Sequence, residues 1–260
     1  MGDGSDKKYL KEFRFKNKHA FEKYVQQTIE DLEFDAPRIF ELFRNKVEEW
    51  EKAYLNSNKG EERFVAETIT PPQDKLIKGP ERIAQKIIDS WIEHDEWRKK
   101  GSQGEAPQKH DPKGFLATMT DVIRFRIVCN YLSDVEYIDK KLKGFIKQSG
   151  NLKIQKRSDH IETPFPTRRA GHRAFQYVLE YCKSKPPILF EVQIMTQLQH
   201  AWDKKDHHLI YEYARLKQDG KIPLYLKNRM AAMSEMLYVA DAAFDSLRKE
   251  ITKIMENKKK

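Results

Sequence analysis

Apolar and polar positions alternate from Thr120 to Val128 and again from Leu189 to Thr196. A period of two marks a β-strand with one face turned to a core. Each of these segments carries one carboxylate, Asp121 in the first and Glu191 in the second. Further strands are predicted over 63–70, ending at Pro71-Pro72, and over 152–157, 173–182 and 187–196. The short link Lys183-Ser184-Lys185-Pro186-Pro187 predicts that the last two pair antiparallel.

Helical spacing predicts helices over 17–32 and 36–56, the second opened by Asp35-Ala36-Pro37. Pro80 opens another that runs to about Lys99. Ser133 is placed to cap a helix over 134–148 that stops at Gly150, and a further helix is predicted over about 197–215. Residues 1–8 are expected to be a disordered start, and 100–114 and 158–171 to be loops. Near the C-terminus, Met230, Met233, Leu237, Ala240, Phe244, Leu247, Ile251 and Ile254 follow spacings of three and four. That is a heptad seam. It is expected to pack on the chain's own domain or on the N-terminal helices; an oligomer contact is its other use. The fold class is therefore α+β: a mixed sheet of about five strands flanked by helices. The chain divides into a helical extension (1–61), a central domain (62–215) and a C-terminal helical segment (216–260).

Among 260 residues, 34% are charged and the net charge is +9. This balance suits polyanionic partners such as nucleotides or RNA, and equally a lysine-rich solvated surface. Cys129 and Cys182 lie in or at the end of predicted strands, so they read as thiols rather than a disulfide or metal pair. No apolar run is long enough to cross a membrane and no signal peptide or myristoylation pattern is read at the start. A cytoplasmic protein with no membrane partner is expected.

Four clusters carry candidate chemistry. Lys78 precedes the helix opened by Pro80 and Lys86 lies two turns into it, an arrangement suited to a polyphosphate. Asp121 and Arg126 share a segment, their odd separation predicting opposite faces. Gly171-His172-Arg173 combines a glycine turn with a ring and a guanidinium. Glu191 and Gln193 share one strand face and lead to His200 and to Asp206-His207-His208. If the two strands are neighbours, Asp121 and Glu191 share a Mg²⁺, an ion that takes one or two carboxylates and completes its shell with phosphate oxygens and water. Phosphoryl or pyrophosphoryl transfer is the chemistry this suggests. His207 and His208 point about a hundred degrees apart on a helix and make poor co-ligands.

In this order the clusters resemble the synthetase domain of the RelA/SpoT family, across about residues 62–215. The stretch from Lys78 to Lys86 is similar to the family's lysine-led cluster, with Gly79-Pro80-Glu81 in register. Asp121 to Arg126 resembles Asp-Leu-x-Gly-x-Arg, and Gly171 to Gln176 resembles Gly-Tyr-Arg-Ser-x-His. Glu191 to Thr196 resembles Glu-Val-Gln-Ile-Arg-Thr, and Trp202 to Tyr211 resembles Trp-Ala-x-x-Glu-His-x-Leu-x-Tyr. The resemblance implies a nucleotidyltransferase-like fold and a Mg²⁺-dependent transfer of pyrophosphate from ATP to the 3′-hydroxyl of GDP or GTP. It implies that Asp121 and Glu191 hold the metal and that Glu191, with Gln193 beside it, serves the acceptor hydroxyl. Lys78, Lys86, Arg82 and Arg126 would serve ATP. His172, Arg173, His200 and Arg157 would serve the acceptor. Departures fall on Leu76, Arg82, Arg124, His172, Gln176 and Met195. Two alternatives stand beside this: a toxic relative that modifies tRNA or an adenosine nucleotide, with an antitoxin partner, and an inactive nucleotide-sensing module. The absence of a hydrolase domain suggests synthesis only, and a homo-oligomer is expected.

Overall fold

The computed structural model describes residues 2–57, 64–69, 76–101, 103–163, 171–184, 187–211 and 222–257. Five strands are present: β1 (Val65–Ile69), β2 (Ile123–Cys129), β3 (Leu152–Asp159), β4 (Phe175–Tyr181) and β5 (Ile188–Thr196). They form one mixed sheet in the order β1-β2-β5-β4-β3. β2 and β5 run parallel, and the other neighbours run antiparallel, including the expected β4–β5 pair. The fold is α+β, as the residue pattern indicated.

Alternation sorts the side chains onto two faces. Phe125, Ile127, Phe190, Val192, Ile194, Tyr177 and Leu179 are fully buried on one of them. Helix α3 (Leu32–Ser57) covers that face through Phe43, whose ring centroid lies 5.1 Å from Phe125 and 5.7 Å from Phe190, both edge-on. Helix α5 (Leu132–Ser149) covers it through Asp139, which accepts from the Tyr177 hydroxyl and, at 2.9 Å, from Arg157 Nε. The opposite face carries Arg124, Arg126, Glu191, Gln193 and Gln176, all on ladder positions that alternate with the buried set.

The N-terminal extension departs from expectation. Helix α1 spans Gly2–Glu12, where a disordered start was expected. Its first residues are poor helix formers, but Tyr9, Leu10 and Phe13 are buried, and Phe13 lies 5.0 Å edge-on to Trp91. Tertiary packing, not propensity, holds this helix. Helix α2 (Lys18–Glu30) is capped by Asn17, whose Oδ1 accepts from Ala20 N at 2.8 Å. Helix α3 begins at Leu32, so Pro37 lies inside it rather than opening it. The buried row Leu32, Ala36, Ile39, Phe43 and Val47 outweighs the one backbone bond that Pro37 removes.

Helix α4 spans Pro80–Lys99, with Pro80 at its first position. Helix α5 starts at Leu132 and ends on Gly150 at φ 60°. Ser133 does not cap it; its hydroxyl donates instead to Asp245 Oδ1 at 2.5 Å. Helix α6 covers Gln197–Asp206 and passes into a π-turn, His207–Tyr211. The rest of the helix predicted to 215 lies outside the described residues. Helix α7 spans Leu224–Asn257. Its seam divides: Met230 and Leu237 pack inward, whereas Met233, Phe244, Leu247, Ile251 and Ile254 are exposed. The expected packing of the whole seam on the chain's own domain is therefore corrected. The inward face shares Met230 and Leu237 with the polar residues Ser234, Asp241, Asp245 and Arg248. Cys129 and Cys182 are free thiols. Among the described residues no helix is long and apolar enough to cross a membrane.

Phe43→Ala is expected to cost about 3–5 kcal/mol, because the cavity would open between α3 and the sheet. Chemical denaturation measures it. A loss below about 1 kcal/mol would mean that α3 is an appendage rather than part of the core.

Candidate active site

The chain ahead of α4 is stitched to the start of β2. Ile77 bridges Ile123, and the Lys78 N–H donates to the Val122 carbonyl at 2.8 Å. This brings two lysines to one carboxylate. Lys78 Nζ lies 2.5 Å from Asp121 Oδ2, and Lys86 Nζ lies 2.7 Å from Asp121 Oδ1. Asp121 sits in the turn two residues before β2, so strand alternation does not set its direction relative to Arg126. Burial pushes the Lys78 ammonium down to about 8, against the pull of Asp121. Burial also opposes ionisation of Asp121, but Lys78 and Lys86 together hold its carboxyl well below the usual range. Arg82 stands on the first turn of α4, partly exposed.

The parallel β2–β5 pairing places Arg124 beside Glu191 and Arg126 beside Gln193. Glu191 is buried, and two amides hold it: Gln176 Nε2 donates to Oε2 at 2.6 Å and Gln193 Nε2 to Oε1 at 2.8 Å. Gln193 Oε1 in turn accepts from Arg126 Nε at 3.0 Å. Arg126 also pairs with Asp203 of α6, and the other oxygen of Asp203 lies 3.1 Å from His172 Nδ1. A continuous chain thus runs Gln176–Glu191–Gln193–Arg126–Asp203–His172. A carboxylate only accepts, so Nδ1 of His172 carries a proton. Its Nε2 is buried without a hydrogen-bond partner among the described residues.

The turn that presents His172 depends on Gly171. Its φ is +104°, and a Cβ there would lie 2.8 Å from Ser234 Cβ and 2.9 Å from Trp202 Cζ2. Both facts require glycine. His200 projects from α6 beside this chain; burial and the nearby Arg126 push it down to about 4, so it is neutral at neutral pH. His200 also lines a cavity of about 600 Å³ with Asn130, Gln197 and Lys204. A second cavity of about 640 Å³ is lined by Gln176, Glu180, Thr120 and Lys156.

Two of the residues expected at the acceptor lie elsewhere. Arg173 is fully buried: it donates to the carbonyls of Ile161 and Glu162, pairs with Glu235 and stacks 4.2 Å from the Tyr238 ring centroid. It ties the turn to α7. Arg157 points to the helix-covered face, bonded to Asp139 and Tyr177, away from Glu191. The loop arginines Arg168 and Arg169 lie outside the described residues. His110 has its Nδ1 3.3 Å from Thr118 Oγ1, and its carbonyl accepts from Trp91 Nε1.

Among the described residues no group of three or more His, Cys, Asp or Glu is gathered to hold a metal ion. Asp121 and Glu191 are the two carboxylates expected to serve a metal, and Asp121 precedes Arg124, the ladder partner of Glu191, by three residues. Each of their four oxygens accepts one side-chain bond and keeps a further lone pair. That donor set fits Mg²⁺, which needs few protein ligands when phosphates and water supply the rest.

A family model described as "Region found in RelA / SpoT proteins" matches residues 77–215, more than half of the chain. The chain belongs to the RelA/SpoT family. Two relatives from Bacillus subtilis (strain 168) are similar to it. GTP pyrophosphokinase YjbM is 26% identical over 149 residues, 56% of this chain and 66% of the relative. GTP pyrophosphokinase YwaC is 25% identical over 135 residues, 50% of this chain and 59% of the relative. The match therefore spans less than two thirds of either relative's length. Solved structures share the fold. A GTP pyrophosphokinase family protein from Streptococcus pneumoniae has a TM-score of 0.59 at 18% identity, covering 88% of this chain and 95% of its own. Small alarmone synthetase 1 from Bacillus subtilis gives 0.52 when bound to its product pppGpp, at 20% identity and 84% and 97% coverage. Bound to AMPCPP it gives 0.56, at 18% identity and 87% and 99% coverage.

Within the family motifs, two positions matter more than their residue types suggested. Gln176 stands where the motif has histidine and grips Glu191. Asp203 stands where the motif has alanine and joins Arg126 to His172. Asp203 follows His200 by three residues on α6, a spacing that puts both on one helix face and that was the available signal.

Asp121→Asn removes the charge that sustains the Lys78 ammonium, so the Lys78 pKa should fall further below 8. Carbon-13 NMR of dimethylated lysines reads this directly; an unchanged or higher value would dissolve the pair. For stability the sign is opposite to a gained salt bridge. Between about pH 8 and 10.5 the unfolded chain keeps a proton that folded Lys78 has lost, so this group adds stability as pH rises through that window.

Proposed function

We propose that this chain is a nucleotide pyrophosphokinase that moves the β,γ-pyrophosphate of ATP onto the ribose 3′-hydroxyl of GDP or GTP, making (p)ppGpp. The observation that carries the reading is the joint placement of the Lys78–Asp121–Lys86 cluster and the amide-held Glu191 across the parallel β2–β5 pair. The relatives named GTP pyrophosphokinase, and the related structures bound to pppGpp and AMPCPP, support it.

The 3′-oxygen attacks the β-phosphorus of ATP, the bond from that phosphorus to the α,β-bridging oxygen breaks, and AMP leaves. Glu191 takes the proton of the attacking hydroxyl. Gln176 and Gln193 fix its two oxygens so that the carboxylate meets the hydroxyl without reorganising. Lys78 and Lys86 exchange Asp121 for the phosphates of ATP and offset the charge that builds on AMP, aided by the N-terminus of α4. Asp121 and Glu191 are the residues that would hold Mg²⁺, which when bound neutralises phosphate oxygens. Arg126 and Arg82 serve the donor side, with Arg126 stacking on adenine. His172 stacks on the acceptor base and His200 borders it.

His172 favours a second reading, an acceptor other than a guanosine nucleotide. Its ring covers less area than the motif's tyrosine and brings Nε2 as a hydrogen-bonding atom. ATP labelled on the γ-phosphate, supplied with GDP, GTP, ADP or bulk tRNA, tests both. Label on GDP or GTP supports the first reading, and label on ADP or tRNA the second. No transfer in folded protein overturns both and leaves an inactive module. Transfer to tRNA would also weaken steeply with salt, because phosphate contacts release counterions.

Glu191→Gln is expected to lower kcat by about 100-fold or more with little change in either KM, since an amide accepts no proton. Steady-state kinetics with rates near wild type would remove Glu191 from the chemistry. Asp203→Ala frees both Arg126 and His172, so KM should rise about 5- to 10-fold for donor and acceptor together, a coupling of 1–1.4 kcal/mol. A change confined to one substrate would break the link.

A further inference from the structure

His110 is buried and held at three points. Its backbone N–H donates to Ser90 Oγ at 3.1 Å, its carbonyl accepts from Trp91 Nε1 at 2.8 Å, and its ring Nδ1 lies 3.3 Å from Thr118 Oγ1. Ser90 follows Lys86 by four residues on α4, so the two project from one helix face. Thr118 precedes Asp121 by three residues. The ring is therefore pinned between the helix that carries Lys86 and the segment that carries Asp121, and the charges it faces are Lys86, Asp121 and Lys78. The N-terminal helices secure this placement. Phe13 and Tyr9 lie 5.0 and 6.3 Å edge-on to Trp91, Lys109 Nζ sits 3.9 Å over the Trp91 ring, and the Tyr24 hydroxyl donates to the Lys113 carbonyl at 3.3 Å.

The bonding at Nδ1 leaves the far ring nitrogen adjustable. Thr118 Oγ1 lies 3.3 Å from the Phe115 carbonyl and 3.3 Å from Nδ1. A hydroxyl has one proton and turns to suit its partners. Turned to the carbonyl, it leaves Nδ1–H as a donor and Nε2 as an acceptor. Turned to Nδ1, it leaves Nε2–H as a donor. Among the described residues nothing bonds Nε2. Burial and the Lys86 ammonium oppose protonation of the ring, so it offers this donor without adding a third cation to the lysine pair. A phosphate oxygen held by the lysines is the acceptor that such a nitrogen lacks.

We propose that His110 is a further donor-binding residue: with Thr118 turned to Nδ1, its Nε2–H donates to a phosphate oxygen of ATP held by Lys78 and Lys86. The assignment rests on the reading of those lysines as the polyphosphate site. Titration calorimetry with AMPCPP and Mg²⁺ reads donor binding without turnover or an acceptor. His110→Asn keeps an amide where Nδ1 stands, so Thr118 stays bonded, and removes Nε2. It should weaken AMPCPP binding about 10-fold or more, the worth of a hydrogen bond to a charged group, with the melting temperature unchanged. His110→Gln carries an amide N–H out to the place of Nε2 and should recover most of the loss. Equal affinity in wild type and His110→Asn overturns the assignment and leaves the lysine site standing. Wild type that does not bind AMPCPP overturns both. Should His110→Asn misfold, nitrogen-15 NMR of the wild-type imidazoles in the AMPCPP complex decides. The His110 ring, identified by the signal missing from His110→Gln, should carry its proton on Nε2. A ring protonated on Nδ1 in that complex marks a merely structural histidine and overturns the assignment.

Discussion

The parallel pairing of β2 with β5 is the constraint on which the rest of the site depends. It lies at the centre of the sheet and sets Arg124 against Glu191 and Arg126 against Gln193. A slip of one residue would turn Glu191 toward Phe43 and Phe125 and bring Phe190 to the open face. The buried row of Phe125, Phe190, Val192 and Ile194 makes that slip costly. The apolar face therefore fixes the register, and the register delivers the polar chemistry of the other face.

Charge on that face is arranged in two separate groups. One is the lysine pair on Asp121, where cations outnumber the carboxylate and a polyanion can take its place. The other is the chain from Gln176 to His172, in which each buried polar group holds the next. Such a network is stiff because an unmade bond in a low-dielectric setting is expensive. It connects the residue proposed for the donor base, Arg126, to the residue proposed for the acceptor base, His172, through Asp203. Substrate binding that moves Arg126 must then change what holds His172.

Helix α7 stands behind this network. Ser234, Glu235 and Tyr238 hold the Gly171–Arg173 turn, and the Met230 carbonyl accepts from Trp202 Nε1 at 2.9 Å. The helix that carries the exposed apolar stripe is thus also the support of the turn that presents His172.

Local pattern was enough for much of the fold. Period-two alternation located the five strands, the Pro80 opening located α4, and the Lys183–Pro187 link indicated the β4–β5 hairpin, because each is a property of neighbouring residues. Motif order brought Lys78, Asp121, Arg126, Glu191 and Gln193 under notice, and the sheet gathers them. What sequence did not reveal is non-local. Helix α1 exists because Phe13 meets Trp91, a contact across nearly eighty residues that helix propensity does not contain. Arg173 and Arg157 look like ligands for phosphate until α7 and Asp139 are seen to occupy them. Gln176 and Asp203 acquire importance only from their partners. The heptad spacing of α7 was plain in the sequence, but which of its faces meets the domain was not. The sequence by itself determined which residues could build strands, helices and a polyphosphate site, since periodicity and residue chemistry are local. The tertiary structure alone decided which charges are paired and which apolar face is left open, because pairing and burial depend on residues distant in the chain.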